Sequence, residues 1–383
     1  MEKLNIIILG TTYPFRGGLA AYNERLARQF QNEGHEVSIY TFKLQYPGFL
    51  FPGKTQYADW DAPKDLEINV KVNSINPFNW IKIGREIKKR RPNILIIKYW
   101  LPFMGPCFGT ISRIVKRNKH TKVITIVDNI IPHEKRIADN LLTNYFVKPV
   151  DGFVAMSKSV LKDIAFFDST KAKSFCPHPI FDNFGEAITK ENALKNIGLE
   201  DNYSYLLFFG FIRGYKGLDL LLEAFADERI RNYPVKLIIA GEFYEDSKPY
   251  LDLIEKYKLT ESLVLKTDFI PDNEVANYFC AADLVVQPYK NATQSGVTQI
   301  CYHFEKPMLV TNVGGLPEIV PDGIAGYIVE PEPKEIADKI VDFYQNNKKE
   351  HFAVGIANEK KKYLWSRMTE TIYDLYYKND NKK

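Results

Sequence analysis

Residues 205–225 read YLLFFGFIRGYKGLDLLLEAF. Tyr205 to Phe209 form a short, continuous apolar run, the pattern of a strand buried on both faces in a parallel sheet. Gly210, Gly214 and Gly217 then interrupt the chain, and Leu218–Phe225 resumes with helical spacing. A strand, a glycine-rich loop and a helix make half of a βαβ unit. In such sheets ligands gather beyond the carboxyl ends of the strands, where this loop lies. Arg213 and Lys216 stand three residues apart in it. Arginine offers a planar fork and lysine a point charge, so together they can grip a diphosphate and stabilise a departing nucleotide. The plainer alternative is a solvated loop with two surface cations.

The same alternation extends outward from this stretch. Downstream, strands are expected at Val235–Ala240, Leu263–Phe269, Leu284–Gln287, Met308–Thr311 and Tyr327–Val329, with helical segments between most of them. Upstream, Leu4–Leu9, Glu36–Phe42, Ile94–Ile97, Val123–Val127 and Asp151–Met156 read as strands. Leu19–Asn32 reads as a helix, and Ser157 as the cap of another. Residues 172–202 break the rhythm with prolines, glycines and polar clusters, and the domain junction is placed there. The expected architecture is α/β, with two doubly wound parallel sheets facing a central crevice. The domains are read as 1–180 and 181–363.

Composition fits two cores: 383 residues, 45% hydrophobic and 14% aromatic. A net charge of +4 gives no support to general nucleic-acid binding. Cys107, Cys176, Cys280 and Cys301 are scattered, which argues against a zinc site or a disulfide framework and suits a reducing, cytoplasmic compartment. No stretch approaches the ~20 apolar residues of a spanning helix. Lys88–Arg91 and Arg113–His120 are basic and lie near apolar segments at 100–104 and 107–115. Peripheral contact with an anionic inner-membrane surface is one reading, and solvated helix faces are the blander one.

The first loop, Tyr13–Leu19, carries Gly17 and Gly18 at a helix start, where the backbone can approach a ligand closely. It lacks both the dinucleotide fingerprint and the Walker pattern, which disfavours a dehydrogenase or a P-loop enzyme.

The run FFGFIRGYKGLDLLLEAF at 208–225 resembles the donor-binding loop of retaining GT-B glycosyltransferases of family 4. Residues 311–323, TNVGGLPEIVPDG, resemble the family's late C-domain loop, and the stretch from Asp272 to Pro288 resembles the approach to its sugar-binding loop. Residues 363–376, YLWSRMTETIYDLY, are similar to the helix that crosses back to the N-domain. The resemblance therefore implies a GT-B fold, with 364–383 added to the N-domain. It also implies a nucleotide-diphosphate-sugar donor bound mainly in the C-domain, a saccharide or lipid-linked acceptor in the N-domain, retention of configuration, and no metal or other cofactor. By resemblance Arg213 and Lys216 contact the diphosphate, with Gly210, Gly17 and Gly18 as donor-site backbone and Arg16 on the acceptor side.

Two segments depart from the family's pattern. Family members commonly carry Glu-x7-Glu in the sugar-binding loop, but Lys290–Cys301 contains no glutamate. Gln294 and Gln299 are the expected substitutes, and glutamine still hydrogen-bonds hydroxyls. Ser295, Gly296 and Val297 would add N–H groups at a helix start. In the N-domain, Thr125–Glu134 carries Asn129, His133 and Glu134. His133 is expected to meet the donor sugar or the acceptor hydroxyl. Glu134 either fixes its tautomer or, with Asn129, binds acceptor. His178, between two prolines, is read as structural. A catalytically weak nucleotide-sugar-binding relative and a GT-B epimerase or sugar-phosphate synthase stand as alternatives.

Overall fold

The computed structural model describes residues 2–46, 57–58, 61–131, 138–292 and 295–378. The chain divides into two compact units, one of Met1–His178 with Leu364–Lys383 and one of Pro179–Tyr363.

The first unit runs β1 (Asn5–Leu9), α1 (Gly18–Asn32), β2 (Glu36–Leu44), β3 (Glu67–Asn73), α2 (Pro77–Arg90), β4 (Ile94–Tyr99), α3 (Gly105–Lys116), β5 (Lys122–Val127), α4 (Asp139–Val147), β6 (Gly152–Ala155), α5 (Lys158–Phe167) and β7 (Ala172–Phe175). The strands are all parallel, in the order β3-β2-β1-β4-β5-β6-β7. Period-two alternation divides β1 between two cores. Ile7 and Leu9 join Phe108 and Ile111 of α3, while Ile6 and Ile8 join Leu26 and Phe30 of α1. Full burial of each such side chain is worth roughly 1.5–3 kcal/mol. Caps set the helix starts: Asn76 accepts from the N–H of Asn79, and Ser157 from that of Val160, as expected of Ser157.

The second unit runs α6 (Lys190–Ile197), β8 (Ser204–Phe209), α7 (Leu218–Phe225), β9 (Val235–Ala240), α8 (Lys248–Lys256), β10 (Leu263–Lys266), α9 (Val275–Ala281), β11 (Leu284–Gln287), α10 (Gly296–His303), β12 (Met308–Thr311), α11 (Leu316–Ile319), β13 (Gly326–Val329), α12 (Pro333–Gln345) and α13 (Lys349–Lys360). Its parallel sheet has the order β10-β9-β8-β11-β12-β13. A buried carboxylate ties its parts together. The Asp283 side chain is 4% exposed and pairs with Lys190 of α6 and Lys349 of α13, both at 2.6 Å. It also accepts the N–H of Tyr205 at 2.9 Å.

The chain then returns to the first unit as α14 (Trp365–Lys378), whose Met368, Ile372 and Leu375 complete the core on the α1 side. Thr369 and Tyr373 both donate to Glu33 at the end of α1, at 2.7 and 2.5 Å. Tyr22 of α1 meets His178 at 5.1 Å and Trp365 at 5.0 Å between ring centroids, so one side chain touches both passages of the chain out of and into this unit.

Two regions depart from the sequence reading. The stretch at 172–202 is not all linker: it holds β7 and α6, elements of four and eight residues whose short patterns are drowned by flanking prolines and glycines. β3 was not expected either. It is an edge strand with several exposed positions, so it lacks the continuous apolar run that marks its neighbours.

Candidate functional site

The loop after β8 is held by the loop after β9. Ile212 donates its N–H to the carbonyl of Glu242 at 2.8 Å, and Tyr244 donates to that of Ile212 at 3.1 Å, which prolongs the parallel pairing past the strands. The N–H of Gly214 donates to the Glu245 carboxylate at 2.8 Å. Residues Gly214–Lys216 make one 3-10 turn, and Gly217 starts α7 in the left-handed region, at φ 69°. A Cβ at Gly217 would stand 1.9 Å from the carbonyl oxygen of Pro288. Gly217→Ala is therefore expected to cost about 2 kcal/mol or more, from left-handed strain of about 1–2 kcal/mol plus displacement of the 288–290 segment. The urea midpoint measures it, and a wild-type midpoint would show that the loop has room to spare.

This scaffold fixes two cations. The Arg213 guanidinium lies over the Tyr244 ring at 4.8 Å, and Tyr244 packs against Phe211 with centroids 4.3 Å apart. Lys216 reaches back across Gly210, where a Cβ would come within 2.9 Å of its Nζ, and lies 5.8 Å from the Tyr289 ring centre. Gly210 sits at φ 95°, a second reason for glycine there. Among the described residues neither cation has a carboxylate partner, although neighbouring Lys290 is paired with Asp219 at 2.6 Å. Burial, reinforced by the Arg213 charge, pushes the Lys216 ammonium down to about 8. Two close cations with no carboxylate partner among the described residues form a site suited to a doubly charged ligand.

Tyr289 links this loop to α10. Its hydroxyl meets Ser295 Oγ at 3.3 Å, Ser295 donates to Gln287 Oε1 at 2.7 Å, and Thr311 donates to the Tyr289 carbonyl at 2.5 Å. Burial pushes the Tyr289 phenol up to about 12, so it stays protonated. Ser295 caps α10 by accepting the N–H of Val297 at 3.2 Å. That N–H, expected to be open to a ligand, is engaged within the loop. Gln299 is 5% exposed, and its buried Oε1 finds no donor among the described residues, nor does Gln287 Nε2 find an acceptor. Gly296 is the first residue of α10.

In the first unit, Gly17 precedes α1 at φ 102°, and among the described residues no side chain caps the helix and nothing lies within 4 Å of a Cβ at Gly17 or Gly18. Arg16 is exposed, and Asn129 is half-buried just beyond β5. His133, Glu134 and Gln294 lie outside the described residues. His178 packs against Tyr22, in keeping with a structural role. No group of three or more His, Cys, Asp or Glu that could hold a metal occurs among the described residues. Among the described residues no helix is long and apolar enough to cross a membrane.

Tyr244, Glu245 and Tyr289 escaped the sequence reading. The only advance signal was that residues 241–245 follow a predicted strand next to the cation loop.

The family match falls within this second unit. Residues 189–360 match the family described as glycosyl transferases group 1. An uncharacterised glycosyltransferase of Methanocaldococcus jannaschii is 28% identical over 98% of this chain and 99% of its own length. The lipopolysaccharide 1,2-N-acetylglucosaminetransferase of Salmonella typhimurium is 25% identical, covering 85% of this chain and 81% of its own. Among solved structures, Anabaena HepE in complex with UDP superposes with a TM-score of 0.65 at 14% identity, over 97% of this chain and 99% of that one. That likeness establishes the fold class: two parallel α/β units of the GT-B kind.

Proposed function

We propose that this chain, whose residues 189–360 belong to the glycosyl transferases group 1 family, transfers a hexosyl-type sugar from a nucleotide-diphosphate sugar to a hydroxyl of a saccharide or lipid-linked saccharide. The chain is a glycosyltransferase, and what is inferred is its donor, its stereochemistry and its role. One observation carries the reading: Arg213 and Lys216 are fixed by a braced loop at the carboxyl end of β8, with no carboxylate partner among the described residues.

In this reading the two cations hold the diphosphate and bear the charge that grows as the bond from the sugar's anomeric carbon to the phosphate oxygen breaks. The acceptor oxygen bonds that carbon on the same face, and its proton passes to the departing phosphate, so configuration is retained. No metal is required, because the cations occupy the role of a divalent ion. Gln294, Ser295, Gly296 and Gln299 are assigned to the sugar and ribose of the donor. Gly17 and Gly18 give the first unit's backbone contact to the donor. Arg16, Asn129, His133 and Glu134 serve the acceptor side. The Salmonella relative and the UDP-bound Anabaena structure support a role in cell-surface glycan synthesis and a nucleotide donor.

Titration calorimetry with UDP, GDP, ADP and TDP sugars tests this. One base should bind, and at about 100 times its dissociation constant it should add about 2.7 kcal/mol of stability. Binding of none would overturn the reading. Affinity should also depend on pH with a defined sign. Lys216 is charged below about pH 8 in the free protein, and a bound diphosphate raises its pKa. The dissociation constant should therefore be insensitive to this group below pH 8. Above that it should weaken, approaching tenfold per pH unit, because binding must take up a proton. A flat profile from pH 7 to 9.5 would remove Lys216 from the contact.

A further inference from the structure

The carboxyl end of the first sheet holds a charged pair that the reading above does not use. In the order β3-β2-β1-β4-β5, the chain leaves β1 for α1 on one face of the sheet and β4 for α3 on the other. The space between β1 and β4 is thus the switch point, where ligands of such sheets bind. Lys98 near the end of β4 lies there and is 1% exposed. Its ammonium pairs with Asp128 Oδ1 at 2.7 Å, lies 3.4 Å from the centre of the Tyr22 ring and meets Met156 Sδ at 3.6 Å. Asp128 is the anion it pairs with among the described residues. Gly10, closing β1, is packed against this group: a Cβ there would lie 2.7 Å from Asn23 Nδ2 and 3.5 Å from Lys98 Cβ.

Holding a lysine in this place is costly. Taking a lysine charge out of water is unfavourable before its attraction to a carboxylate offsets it, and an apolar pair of similar size is often as stable or more so. The two partners are also unequal. Lys98 is sealed, whereas the Asp128 side chain keeps 20% of its exposure. The Asp128 backbone is fixed too, since its N–H donates to the Tyr99 carbonyl at 2.9 Å. Oδ1 faces the buried cation as an ion pair but accepts no hydrogen bond of normal geometry among the described residues. Such a group is a fixed hydrogen-bond acceptor at the mouth of the switch point.

We propose that Asp128 accepts a hydrogen bond from a hydroxyl of the acceptor saccharide, and that Lys98 is the positioning residue that keeps this carboxylate aimed. The assignment to an acceptor rests on the glycosyl-transfer reading, in which the diphosphate occupies the second unit. The carboxylate makes no covalent bond in this role.

Saturation-transfer NMR with octyl glucoside, octyl galactoside and octyl mannoside, without donor, reads acceptor binding directly. Nucleotide-sugar affinity by calorimetry runs in parallel. The wild type should bind at least one octyl glycoside, and Asp128→Asn should weaken that binding at least tenfold while nucleotide-sugar affinity changes less than twofold. Lys98→Met should show the same selective loss. The Lys98→Met/Asp128→Asn double variant should be no worse than either single change, because the lysine acts through the carboxylate. The double variant leaves no lone buried charge and keeps the question open to measurement if a single variant fails to fold. Retained glycoside binding in folded Asp128→Asn or in the double variant would overturn the proposal, as would a wild type that binds none of the three. A wild type that binds glycosides but no nucleotide sugar would instead overturn the donor reading.

Discussion

Replacing Lys216 with alanine is expected to lower turnover by about 10²–10³-fold, the scale of a lost charge-stabilising donor, about 3–4 kcal/mol. The fold should survive. Lys216 has no carboxylate partner among the described residues, and burial together with Arg213 disfavours its charged form. The sign follows from that depressed pKa. The native state binds this proton less tightly than the unfolded chain, so the ammonium opposes folding at all pH values below about 8, and the penalty fades as pH rises toward 10.5. Thermal stability of Lys216→Ala at pH 7 should therefore equal or exceed that of the wild type. Turnover lost together with stability would make Lys216 a structural residue. Unchanged turnover would take it out of the reaction.

Asp283→Ala should lower stability by about 3 kcal/mol, at the lower end of the range for removing one member of a buried ion pair. The lower end applies because Lys190 and Lys349 keep side-chain exposures of 30% and 52% and can regain water. The N–H of Tyr205, buried at the start of β8, cannot. Burial raises the Asp283 pKa, but the bonds from Lys190 and Lys349 outweigh it and leave the net shift downward. The wild type thus holds this stability at neutral pH and loses it as acid titrates the carboxylate below its ordinary range. Asp283→Ala should flatten that part of the acid-unfolding curve. Urea unfolding monitored at pH 7 and through the acid range below pH 4 checks both, and a loss under about 1 kcal/mol at pH 7 would show that α6 and α13 stay docked without it.

How far the sequence reveals this molecule depends on what each element buries. β1, β4, β8 and β9 lie in sheet interiors and announce themselves as apolar runs. β3 is partly exposed at an edge, and β7 is four residues long, so neither run is visible. Arg213 and Lys216 were legible because a glycine-rich loop after a strand restricts what its cations can do. Their supports were not, since Tyr244, Glu245 and Tyr289 come from other loops and acquire meaning only once β9 and β11 lie beside β8. Lys98 is the hardest case. It lies just past the expected strand Ile94–Ile97, and only the sheet shows the ammonium over the Tyr22 ring.

The return of α14 to the first unit bears on the order of events at the ribosome. Residues 179–363 form one uninterrupted unit and can finish folding as soon as they emerge. The stretch made before them cannot. The side of its sheet that bears Ile6 and Ile8 waits for Met368 and Ile372, which are translated after the whole inserted unit. At about 5–20 residues per second that interval is roughly 10–40 s. The half of the chain that is synthesised first is completed last, and its unfinished apolar face is the one a nascent-chain chaperone would find.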